Sequence, residues 1–166
     1  MLLFLFGMVA ACDELKEKEI SSYHPNHWED HYAEIPAKDS LQIGITYLSI
    51  YSHIYSFSLE KSHNLTAMVS IRNVSKTDTI YISKADYYNT KGELIRHYFK
   101  KPIRLKPVET VEIVIEEADE HGGSGANFIF EWATNAKTPE PLFEGVMTSL
   151  AESQGLSFTT TGRRIE

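Results

Sequence analysis

Cysteine is nearly absent from this chain: 166 residues hold one, Cys12. A lone thiol closes no bridge within the chain, so a disulfide framework is excluded and stability must come from the core. Positive charge is also scarce, with Lys+Arg 16 against Asp+Glu 23 and a net charge of −7. That balance argues against a nucleic-acid partner, because such affinity rests on clustered cations neutralising phosphates. The basic clusters are Lys100-Lys101-Pro102-Ile103-Arg104 and Arg163-Arg164. Both read as solvated faces, with phosphate or lipid-headgroup contact as the sharper alternative. Past the first dozen residues no apolar run is long enough to span a bilayer. Internal repeats and low-complexity tracts are missing as well.

What is present fits a folded chain. A hydrophobic fraction of 42%, with nine Tyr and eight Phe, argues against disorder. The length suits one domain with accessories. Residues 2–11 form an apolar run, too short to cross a membrane but long enough for a signal-peptide core. The Val9-Ala10-Ala11-Cys12 that ends it resembles the bacterial lipobox. The resemblance implies cleavage before Cys12, a diglyceride thioether on its sulfur and acylation of the new amine. Several acyl chains on one residue anchor stably, where one holds marginally. No Lys or Arg precedes the run, a departure from the pattern that leaves the true translation start open, with an upstream start as one expectation. Localisation is then expected at the cell envelope, facing periplasm or cell surface. The acidic residues after Cys12 resemble both surface-export and inner-membrane retention signals, so the leaflet stays open.

Residues 1–11 are thus expected as signal peptide, 12–40 as the lipidated cysteine with a charged, His-rich tether, and 41–166 as the folded domain. Within the tether, His24, His27 and His31 lie among Glu29 and Asp30, a set of types that binds transition metals. A solvated linker is the plainer reading. From Leu41 onward the apolar period becomes two. Leu65, Ala67, Val69 and Ile71 alternate with polar neighbours, as do Val111, Ile113 and Ile115, and Phe128, Phe130 and Trp132 share a face. Further strands are predicted over 44–55, 79–88, 94–99, 142–150 and 156–161. Asn89-Thr90-Lys91-Gly92 predicts a hairpin turn, and Leu105-Lys106-Pro107 the end of one strand and the start of the next. About eight strands with regular turns predict an all-β fold, an antiparallel immunoglobulin-like sandwich.

Tyr51-Ser52-His53-Ile54-Tyr55, Ser70-Ile71-Arg72-Asn73, Asp86-Tyr87-Tyr88, Gly122 through Phe128 with Trp132, and Ser157-Phe158 with Gly162-Arg163 occur in that order. Together they resemble the bacterial domain of unknown function 3124 family. The resemblance implies a single secreted or membrane-associated domain, and it carries no catalytic residue over.

Chemistry concentrates between Glu116 and Asn127. Gly122-Gly123-Ser124-Gly125-Ala126 approaches a nucleophile elbow, but its last position is Ala126 and the motif needs an α/β setting. Asp119, His121 and Ser124 are too close in sequence for a triad drawn from separate elements. A phosphate cradle lacks its Lys and meets repelling carboxylates. Glu117, Asp119, Glu120 and glycine carbonyls match a calcium site better, beside the plainer reading of a tight structural loop. His121, Ser124 and Asn127 complete this candidate loop. A second candidate is a polar cluster of His53, Asp86 and Arg163, joined by Asn127 if the strands converge. The expectation is a non-enzymatic, lipid-anchored binding module with no cofactor and with an envelope protein or glycan as partner. Metal binding through the tether histidines or the acidic loop is the alternative.

Overall fold

Alternation along each apolar run is what a pleated strand with one buried face requires. The computed structural model describes residues 28–37, 41–56, 58–151 and 154–166. Along the chain, β1 is Leu41–Ile50, β2 His53–Ser56, β3 Ser58–Asn64, β4 Thr66–Arg72, β5 Ile80–Tyr88 and β6 Leu94–His97. There follow β7 Ile103–Leu105, β8 Thr110–Ile115, β9 Ala126–Asn135, β10 Leu142–Ala151, β11 Gln154–Thr161 and β12 Arg163–Arg164. Short 3-10 turns at Glu29–His31 and Gly123–Gly125 are the helical pieces among the described residues.

All pairings are antiparallel. One sheet runs β12-β1-β9-β5-β6, with β7 also on β5; the other runs β11-β10-β4-β8. The inner faces meet over a core in which Trp132, Tyr87, Phe128, Phe130 and Phe143 are fully buried. Phe130 of the first sheet stacks on Phe143 of the second at 4.3 Å between ring centroids, so aromatic area closes the sandwich. Close approach is built in at Gly44, where a Cβ would lie 2.2 Å from the Trp132 ring. The Trp132 indole N–H donates to Thr46 Oγ1 at 3.0 Å, satisfying the one polar atom of that side chain. Gly162 turns the chain from the second sheet into the first, and its N–H donates to Phe143 O at 2.8 Å.

The β-sandwich is as the patterning predicts, but the strand inventory differs. The predicted strand 44–55 is broken at Tyr51 and Ser52 into β1 and β2. β3 was not legible because Ser58-Leu59-Glu60-Lys61-Ser62-His63-Asn64 has no buried face to impose alternation. β7 and β12, of three and two residues, are too short to show a period. β2 and β3 pair only with each other, as a ribbon outside both sheets.

Of residues 12–40, the described part is 28–37, and it lies against the sandwich. Trp28 packs edge-on to Phe99 at 4.8 Å, Tyr32 bridges Ile103, and Ala33 N–H donates to Pro102 O at 3.0 Å.

At the end where β4 leaves and β8 begins, Lys106-Pro107-Val108-Glu109 makes a turn closed by Glu109 N–H to Lys106 O at 3.1 Å. Val108 has φ 63° and is 68% exposed. A β-branched residue in the left-handed region is strained by about 1–2 kcal/mol, and glycine is not. Val108→Gly is therefore expected to raise stability by about 1 kcal/mol, read as a higher denaturation midpoint at unchanged slope. An unchanged or lower midpoint would show that the turn gains something from the valine side chain.

Candidate functional site

The opposite end carries the glycine-rich connection between β8 and β9. It is assembled from backbone turns: Asp119 N–H donates to Glu116 O at 2.9 Å and Gly123 N–H to Glu120 O at 3.1 Å. Gly123 takes φ 73°, a value that costs glycine nothing. Thr90, in the predicted hairpin turn, clamps the loop from one side. Its N–H and Oγ1 both donate to Gly122 O at 3.1 Å, and Gly125 N–H donates to Thr90 Oγ1 at 3.0 Å. From the other side Ser52 N–H donates to Gly123 O at 3.0 Å. Gly122 sits where a Cβ would lie 2.0 Å from Tyr87 Oη and 2.6 Å from Ser52 Oγ, so no side chain fits there.

Beneath the loop is a buried polar network. Asp119 is 0% exposed, and its Oδ2 accepts from Arg96 Nη1 at 3.1 Å. The same Nη1 donates to Tyr98 Oη at 2.9 Å. The guanidinium lies 5.7 Å from the Tyr98 ring centroid and 6.0 Å from that of Tyr87. Asp119 Oδ1 stands 3.3 Å from His121 Nδ1, whose ring is half exposed. Burial pulls the Arg96 guanidinium down, but Tyr98 and Asp119 outweigh it and hold its pKa above the ordinary arginine value. Burial pushes Tyr87 far above the phenol range, against the Ser52 hydrogen bond. Tyr98 is pushed up to about 12, by burial first, with Arg96 opposing and Asp119 adding.

Those phenols give a pH dependence with a definite sign. An unfolded tyrosine loses its proton near pH 10 and folded Tyr98 near 12. Between those values the folded chain holds more protons than the unfolded one, so stability falls as pH rises. The contribution is complete below about pH 10 and gone above the folded value. Tyr98→Phe is expected to flatten that alkaline decline in thermal melts taken from pH 9 upward. Parallel declines in both proteins would overturn the assignment.

The other candidate residues are placed as follows. Glu117 and Glu120 are exposed, and Glu120 accepts from Asn64 Nδ2, tying the loop to the ribbon. The Ser124 hydroxyl has no hydrogen-bond partner among the described residues. Asn127 faces the outside of the first sheet, where its Nδ2 donates to Gly125 O and its Oδ1 accepts from Tyr47 Oη. The polar cluster does not form. His53 stands edge-on to Tyr55 in the ribbon at 5.8 Å. Asp86 meets His97 Nδ1 at 2.7 Å on the outer face of β5. Arg163 is exposed on β12 opposite Tyr47, with β9 and β1 between it and Asp86. Strand register parts them: Asp86 alternates with inward Tyr87, so it points away from the Asp119 network. Among the described residues no group of three or more His, Cys, Asp or Glu is gathered to hold an ion. His31 lies 3.3 Å from Glu109 Oε1; Cys12, His24 and His27 lie outside the described residues.

Sequence reasoning missed Arg96 and Tyr98. They sit in the predicted strand 94–99, and nothing local marks Arg96 as the partner of a carboxylate 23 positions away.

Comparison with known proteins places the chain. No curated protein matches it. The crystal structure of Thermotoga maritima 1070 is similar at 10% identity, covering 72% of this chain and 94% of that one with a TM-score of 0.44, too distant to carry an argument. The family described as "Protein of unknown function (DUF3124)" matches residues 43–165, nearly the whole sandwich. The chain belongs to the DUF3124 family.

Proposed function

We propose that this is a non-enzymatic, lipid-anchored envelope protein whose β-sandwich is a binding module. Its binding end is the one that carries ribbon β2–β3, the loop at 116–125 and the turn at 89–92. The observation that carries the reading is the ribbon. It joins neither sheet, and it holds Tyr55 52% and Leu59 84% exposed. Ile54 packs against the core, but a hairpin that adds no strand to the sandwich and leaves Tyr55 and Leu59 exposed offers apolar area that the fold does not use. Leu150, at 88% exposed near the tip of β10, adds apolar area at the same end, since β3 leads directly into β4 beside β10. The chemistry-bearing loop supports a binding role over catalysis, because Asp119 is used inside the fold by Arg96.

The test is photo-crosslinking in intact envelopes from Tyr55 and Leu59, with Lys76 at the far end as control. A discrete adduct from the ribbon positions alone is expected. Adducts of equal pattern from all three positions, or none from the ribbon, would sink the reading. Acyl-donor labelling that persists in Cys12→Ser would sink the anchor separately.

A further inference from the structure

We propose that the rim formed by Lys100, Lys101, Arg104 and Lys106 is a docking surface for an anionic lipid bilayer. All four side chains are exposed, in a chain whose net charge is −7. Arg104 alternates with the buried Ile103 and Leu105 in β7, and Lys106 continues that outward face. None of the four has an ion-pair partner among the described residues, unlike Arg72, Lys84 and Arg164; Lys61, Lys76, Lys91, Lys137 and Arg163 are also without one, but they are scattered along the chain. Four unneutralised cations within seven residues are the charge complement of an anionic headgroup layer. Each is expected to strengthen attachment about fivefold near such a surface.

The second argument is where the chain enters the fold. The described chain begins at Trp28, which packs on Phe99, the residue directly before Lys100. Ala33 then bonds Pro102, directly after Lys101. Residues 13–27 separate Trp28 from Cys12, fifteen residues whose covalent reach is at most about 50 Å. An anchor at Cys12 therefore keeps this rim, the place where the chain joins the fold, within reach of the headgroups. The remaining acidic surface does not forbid the contact, because charges farther than about 8–10 Å are screened at physiological salt. Glu29, next to Trp28, and Glu34, next to Ala33, are the opposing carboxylates adjacent in sequence to these contacts, and Glu109 already meets His31 and the Lys106 N–H. The rim rests on the proposed anchor for proximity alone.

The full chain carrying Cys12→Ser is sedimented with phosphatidylcholine vesicles, with and without phosphatidylglycerol. Using Cys12→Ser separates failure of the anchor from failure of the rim, and the apolar residues 2–11 are common to every variant compared. Binding to the anionic vesicles is expected, weakened by salt. Lys100→Gln with Lys101→Gln and Arg104→Gln should reduce it on the order of a hundredfold, at about fivefold per cation. Thermal stability should be unchanged, because the replaced groups are exposed. Glu34→Gln should strengthen binding, and Lys91→Gln at the far end should leave it as it is. Equal partition of wild type and triple variant would overturn the proposal. So would equal binding to both kinds of vesicle, a Lys91→Gln loss as large as that of a rim lysine, or binding of soluble polyphosphate without vesicle binding.

Discussion

Asp119→Ala is expected to cost on the order of 3 kcal/mol, a large share of the stability of a domain this size. The carboxylate is fully buried, and the Arg96 side chain that donates to it is 11% exposed. Removing Asp119 withdraws the opposite charge from a guanidinium that has little water to fall back on. It also removes the acceptor for the His121 backbone N–H. Arg96→Met fails for the mirror reason, since it takes the guanidinium away from a carboxylate that is 0% exposed. Arg96→Met combined with Asp119→Leu should lose much less than the sum of the two, because replacing both charges by apolar groups removes the desolvation cost. Urea midpoints of the four proteins measure this cycle. Strict additivity would show that the pair does not act as a unit.

Asn73→Ala is expected to lose a comparable amount at the other end of the sandwich. Asn73 is 2% exposed, and its amide shares its hydrogens among Asp78 O at 2.7 Å, Lys106 O at 2.9 Å and Leu105 O at 3.1 Å. Its Oδ1 accepts from Ser75 N–H at 2.9 Å. One side chain thus pins the crossing from β4 to β5 against the crossing from β7 to β8, and both crossings connect the two sheets. Alanine leaves buried carbonyls and an N–H without partners, at about 1–3 kcal/mol for each group that water cannot reach. Asn73→Asp keeps the shape and the Ser75 bond but sets a carboxylate against those carbonyls. It should be at least as damaging at neutral pH and recover as the pH is lowered. A carboxyl that keeps its proton longer in the folded chain contributes stability below its unfolded pKa and loses it as pH rises. If Asn73→Ala melts with the wild type, the carbonyls have found other donors and the staple is not one.

These two residues show how the sandwich is finished. The core supplies apolar area, and each end has one buried polar side chain: Asn73 joins two crossings between the sheets, and Asp119, in the crossing from β8 to β9, holds Arg96 of β6. The glycines of the 122–125 loop serve the same closure. Gly122 lets the backbone lie on the Tyr87–Ser52 hydrogen bond, and the loop lies over the Arg96 network. A loop whose composition suggests chemistry is thereby occupied with packing, which leaves the neighbouring ribbon as the more exposed surface.

By itself the sequence determined the alternation of the main strands, the Asn89–Gly92 turn with Gly92 at φ 79°, and the all-β class. These follow from local rules: a pleat buries every second side chain, and a left-handed turn position selects glycine. Only the tertiary structure decided which polar groups meet. Asp119 and Arg96, and Asn73 and Leu105, are brought together by strand order and register, which no local pattern encodes. Register also separated His53, Asp86 and Arg163, since neighbours along a strand face opposite sides and residues of one kind need not share one. The ribbon was hidden for a complementary reason. A strand with no buried face has no apolar period, so it becomes visible only through the partner it pairs with.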